Sequence, residues 1–211
     1  MRRRFLYPLL LSVFAAALIP SMACVRKREY IPLHKQTLKG SGKIYFVPLG
    51  AFSDASVKAL VSYYQNKYGL SIETLSHVVL PPDTINPERQ QLIAEQAIDI
   101  MKRANPEKVN DPQAILIGLT KQDMYIGKYD WRFGFSYREQ GKYAVVSSGR
   151  MNLGWRNQLA SEDQIRSRLR KMVTKNIGVL YYRLEQSDDP RSVMYRSVGG
   201  IQELDYMGEE F

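Results

Sequence analysis

The chain has 211 residues, of which 45% are apolar and 24% charged, with a formal charge of +9. That length suits one domain with a real core, and the composition excludes a disordered or collagen-like chain. Arg2, Arg3 and Arg4 carry three of the nine excess charges, leaving +6 without them. The other basic residues are scattered with no aromatic-interleaved run, which argues against a nucleic-acid partner.

The opening segment, "MRRRFLYPLLLSVFAAALIPSMAC", places three arginines before an apolar run from Phe5 to Ile19, then small residues before Cys24. This is the layout of an export signal, and the run is shorter than the ~20 residues that span a bilayer as a helix. The segment resembles a bacterial lipoprotein signal, with Ser21 standing where leucine is usual. The resemblance implies removal of residues 1–23 and acylation of Cys24, the only cysteine in the chain. The expected location is the bacterial cell envelope, anchored to a membrane through Cys24. The alternative is cleavage without acylation, giving a soluble secreted or periplasmic protein. Residues 24–42 are polar, basic and aperiodic, and read as a tether.

The folded part is expected over 43–211. "KIYFVPLG" (43–50) reads as a buried strand closed by Pro and Gly. "SDASVKALVSYYQNKYG" (53–69) reads as a helix capped by Ser53 or Asp54 and stopped by Gly69. "LSIETLSHVVL" (70–80) predicts a second strand with His77 packed in it. "NPERQQLIAEQAIDIMKRAN" (86–105) predicts a helix capped by Asn86 with Pro87 in its first turn. "AILIGLT" (114–120) predicts a third strand, and 131–151 predicts a hairpin turning at 139–142. Ser161 and Gln164 form a capping box that opens a long helix, whose apolar stripe runs from Ile165 to Leu184. The tail from 185 has turn chemistry and a short last helix. The order predicts an α/β fold with a mixed sheet.

Five ordered segments carry a further resemblance: "KIYFVPLG", "ILIGLTKQDMYI", "FGFSYREQGKYAVVSSGRM", "RLRKMVTKNIGVLYYRL" and "SVMYRS". Together they resemble the archaemetzincins, zinc peptidases of metzincin fold, over 43–211. The resemblance implies a zincin-type mixed sheet packed with helices and a long active-site-type helix near the C-terminus. The family's ligand helix reads H-E-x-x-H-x-x-G-x-x-H, with two histidines one turn apart and a glutamate as general base. Laid on "KNIGVLYYRLE", the histidine positions become Lys175, Val179 and Glu185, the glutamate becomes Asn176, and the turning glycine becomes Tyr182. Met194 falls at the methionine turn below the metal. Gln186 and Ser192 stand where a second, structural zinc would have cysteines.

Zinc favours neutral imidazole, which nothing in this segment supplies; Glu185 could ligate, but one carboxylate does not hold zinc alone. The implied reading is a pseudopeptidase with no catalytic residue, no metal ligand and no cofactor, which keeps a cleft for a peptide or protein. In metzincin folds such a ligand lies along an edge strand, here expected within 132–148. One alternative is an active zinc-dependent metallopeptidase; another is a structural envelope lipoprotein with its basic face on anionic lipid. The histidines His34 and His77, the acidic pairs at 188–189 and 209–210, and Ser147 and Ser148 read as packing or surface residues, not chemistry.

Overall fold

The computed structural model describes residues 38–154 and 158–211. The expected signal at 1–23, Cys24, His34 and the tether as far as residue 37 lie outside the described residues.

Strand β1 (Lys43–Leu49) is buried along nearly its whole length. Helix α1 (Asp54–Tyr68) starts where the Ser53 hydroxyl accepts from the Ser56 amide, and stops at Gly69 with φ 68°. That left-handed conformation suits glycine. Strand β2 is only Ile72–Thr74. A short β3 (Ile85–Asn86) and β4 (Gln91–Ile93) precede helix α2 (Ala94–Ala104) and the one-turn α3 (Pro106–Asn110). Strand β5 (Ala114–Thr120) is fully buried, and β6 is Met124–Tyr125. The hairpin is β7 (Ser136–Glu139) with β8 (Tyr143–Ser147). Helix α4 (Glu162–Leu180) and α5 (Ile201–Tyr206) complete the chain.

The main sheet has the order β2-β1-β5-β8-β7. All pairs are parallel except β7 with β8, so β7 is an antiparallel strand at one edge. A second sheet joins β3, β4 and β6. Side chains alternate across the main sheet, as the strand period requires. Ile44, Phe46, Ile117 and Val146 face α1 and α4, while Tyr45, Val47, Leu116 and Val145 face α2. The result is the mixed α/β sandwich expected from the order of segments.

Three local expectations fail. The helix predicted from Asn86 starts at Ala94. Asn86 Oδ1 accepts from the Glu88 and Arg89 amides, as a cap would, but Gln90 then turns at φ 53°. Leu92 pairs with Met124 and Ile85 in the small sheet, and that non-local pairing outweighs the local helix signal. The strand predicted over 70–80 shortens to three residues plus a bridge from Val78 to Leu49. His77 therefore sits exposed outside any strand, 2.9 Å from Asp54.

Helix α4 also ends at Leu180, four residues before the end of its apolar stripe. The Tyr182 amide reaches back to the Ile177 carbonyl and Leu184 to the Gly178 carbonyl. Arg183 takes the positive φ, 56°, in place of a glycine. A side chain there costs on the order of 1 kcal/mol. The Arg183 guanidinium donates to the Gly141 carbonyl at 2.9 Å, which ties this turn to the hairpin loop. No helix among the described residues is long and apolar enough to cross a membrane.

Candidate functional site

Edge strand β7 and helix α4 form two walls of a cleft of about 350 Å³, closed by the chain from Gln186 to Val198 and by the loop from Ile126 to Phe135. Ser136, Tyr137 and Arg138 of β7 all border it, and the alternation of the strand decides which side chain faces α4. Tyr137 points to the α2 side of the sheet, so its neighbour Arg138 points to the α4 side and into the cleft. From α4, Met172 and Lys175 line the floor, three residues apart on one helix face. At the mouth Tyr129 and Trp131 stand 5.1 Å apart, both more than half exposed.

The floor is cationic. Lys175 is 3% exposed, and its ammonium donates to the Tyr195 carbonyl. Burial, with the Arg138 charge acting in the same direction, lowers its pKa to about 8. Burial also lowers Arg138, which stays protonated at any ordinary pH. Its guanidinium donates from Nη1 to Asn176 Oδ1 at 3.1 Å and from Nη2 to Gln186 Oε1 at 3.3 Å. Asn176 is fully buried and turns its amide to the Met172 carbonyl at 2.7 Å. Its side chain thus props the guanidinium from inside the helix.

The positions singled out in the sequence do not all meet here. Lys175 and Asn176 lie at the floor, one lining the cleft and one behind it. Val179, one turn beyond Lys175 on the same helix face, packs with Leu38, Met194 and Phe211 and does not line the cleft. Glu185 is exposed and does not line the cleft, whereas its neighbour Gln186 does. Tyr182 stacks edge-on against Phe211 at 5.3 Å. Met194 lies directly against the helix, because a Cβ built on Gly178 would stand 2.5 Å from its Sδ and 2.6 Å from the Phe211 ring. Close packing against Met194 and Phe211 explains that glycine.

Other candidate groups have structural partners. Asp188 pairs with Arg196 and Asp189 with Arg191. Glu209 pairs with Arg170, and Glu210 with Lys67. The Ser147 hydroxyl donates to the Gln122 carbonyl and that of Ser148 to the Thr120 carbonyl. Among the described residues, no group of three or more His, Cys, Asp or Glu side chains gathers where it could hold a metal ion. Arg138 was not singled out in the sequence. The available signal was a charged residue alternating with a tyrosine in a strand expected to lie at the cleft.

No family model and no curated protein sequence matches the chain. Its fold is nevertheless that of archaemetzincins. The archaemetzincin of Archaeoglobus fulgidus, whose structure is a complex with malonate, superposes with a TM-score of 0.63 at 22% identity over 80% of this chain and 94% of that one. Archaemetzincin of Methanopyrus kandleri gives a TM-score of 0.62 at 21% identity, over 83% of this chain and 92% of that one. A zinc-dependent peptidase of Methanocorpusculum labreanum gives 0.65 at 19% identity, over 80% of this chain and 95% of that one.

Proposed function

We propose that this chain is an exported, lipid-anchored archaemetzincin-like protein that lacks zinc peptidase chemistry and uses its cleft to bind an extended peptide. One observation carries the reading: two cations, the buried Lys175 and the half-buried Arg138, form the floor where a zinc peptidase fold would need metal ligands.

The residues present do not fit a divalent cation. The Lys175 ammonium is engaged as a donor to Tyr195, and an ammonium must lose its proton before it can ligate. Val179 has no donor atom, Glu185 is exposed, and a guanidinium beside the floor repels a metal ion. Asn176 has no useful basicity, so no general base stands in the glutamate position. Peptide capture needs none of these groups. An extended segment adds to an open sheet edge through main-chain hydrogen bonds, and β7 presents such an edge along the cleft wall.

Elemental analysis and an unstructured-protein cleavage assay on the full chain test the first half. Stoichiometric zinc together with chelator-sensitive cleavage would overturn it. A peptide library screened against the full chain tests the second half, with Ser136→Pro as the control that removes a main-chain donor from the edge strand. Binding that ignores this change counts against strand addition. The anchor is tested by labelling with a fatty-acid analogue, which should mark the chain and fail to mark the Cys24→Ser variant.

A further inference from the structure

The two cations at the cleft floor have no anion of their own. All their partners are neutral: the Tyr195 carbonyl for Lys175, and the Asn176 and Gln186 side-chain oxygens for Arg138. Among the described residues no carboxylate pairs with either, and each charge acts on its surroundings without compensation. Other cations of the chain have carboxylates near them. Arg168 is 1% exposed and meets both oxygens of Asp205 at 2.7 Å, and the half-buried Arg170 pairs with Glu209. The buried Lys171 donates to the Leu204 and Asp205 carbonyls, but the Asp205 and Glu209 carboxylates act on its charge. The remaining cation lining the cleft, Arg196, already holds Asp188 at 2.8 Å.

Buried charge is costly unless paired, and two like charges in a low-dielectric site add mutual repulsion. An uncompensated pair is therefore a defect in a free-standing fold and an asset in a site that receives an anion. Donors remain for one. Arg138 has five N–H groups and commits two, and the Lys175 ammonium has three and commits one. The cleft above them is open, about 350 Å³ in volume, with aromatic side chains at its mouth. That volume lies within the range of ordinary ligand pockets.

We propose that the cleft floor is a carboxylate-binding subsite, in which Arg138 and Lys175 together receive the carboxylate of a peptide lying along β7. A carboxylate fits because it is planar and accepts two parallel hydrogen bonds from a guanidinium edge while leaving lone pairs for an ammonium. It is also the anion an extended peptide brings, either at its C-terminus or on an acidic side chain. The peptide as the source of the carboxylate rests on the peptide-binding reading above; the anion site itself does not.

The experiment is calorimetric titration of the full chain with four probes: a short extended peptide with a free C-terminus, its C-terminal amide, the amide carrying one internal glutamate, and malonate alone. The peptide with a carboxylate should bind about tenfold or more tightly than the neutral amide, with the difference shrinking as salt is raised. Whether the free C-terminus or the internal glutamate recovers the affinity identifies the source. Lys175→Met and Arg138→Gln should each abolish the difference. Lys175→Met removes a buried charge and keeps the fold, so its loss of binding is read in a protein whose melting is not impaired. If all three peptides bind equally and the variants change nothing, the subsite is refuted and peptide capture stands. If malonate binds through both cations but no peptide does, the subsite stands and peptide capture falls. If nothing binds, both fall.

Discussion

Replacing Lys175 by methionine should make the protein more stable at neutral pH, an unusual result for a buried residue. Lys175 is 3% exposed and its pKa falls from 10.5 to about 8, chiefly through burial and then through the Arg138 charge. At 1.36 kcal/mol per unit, the charged side chain costs the fold about 3 kcal/mol. Methionine keeps the length and the packing against the cleft but gives up the hydrogen bond to the Tyr195 carbonyl, worth about 1 kcal/mol. The net gain is about 2 kcal/mol at pH 7, or roughly 4–8 °C in melting temperature for a chain of this size. The pH dependence follows from linkage. Between pH 8 and 10.5 the unfolded chain holds the lysine proton that the fold has released, so wild-type stability rises across that window. Below about pH 8 both states are protonated and the full cost applies. Methionine lacks this term, so its advantage should be largest at pH 7 and mostly gone by pH 9.5. Burial lowers Lys171 as well, so the difference between wild type and variant isolates Lys175. Thermal unfolding followed by circular dichroism from pH 7 to 9.5 measures both curves. A variant that melts below wild type at pH 7, or an advantage that does not narrow with pH, would refute the reasoning.

Asp205→Ala should cost about 3 kcal/mol, because it leaves the buried Arg168 guanidinium with only the Met151 and Leu153 carbonyls; chemical denaturation reads the loss. Ser161→Ala should lower stability by about 1 kcal/mol, since the capping box holds both the Gln164 amide and, through Gln164, the Ser161 amide. Gly178→Val should destabilise by about 2 kcal/mol or more, measured in the same way, because its branched side chain enters space held by Met194 and Phe211. At the alkaline end stability should fall above pH 10. Burial raises Tyr63, Tyr64, Tyr68 and Tyr137 well above their ordinary value and Tyr182 to about 12, so the unfolded chain releases those protons first; phenolate absorbance recorded with unfolding checks the coincidence.

Much of the fold was legible because its signals are local. Ser53 and Gly69 bound α1, Ser161 and Gln164 open α4, and the uninterrupted apolar runs at 43–49 and 114–120 could only be buried strands. The turn at Gln140 and Gly141, both at positive φ, was equally readable. The start of α2 was not, because an asparagine that caps a helix and one that closes a turn make the same hydrogen bonds. The choice between them lay with Met124, 32 positions beyond Leu92 in the chain.

The site divides along the same line. Sequence by itself determined which side chains stand in 175–185, and hence that this stretch holds no imidazole. It could not say which of them share a space, since that depends on where α4 stops and on which face of β7 turns inward. Tertiary packing covered Val179 with Leu38, Met194 and Phe211, left Glu185 outside, and brought Arg138 across from a strand 37 positions earlier to stand by Lys175. Electrostatics acts through space with no regard for chain order, so the charge of the cleft was written only when the sheet edge met the helix.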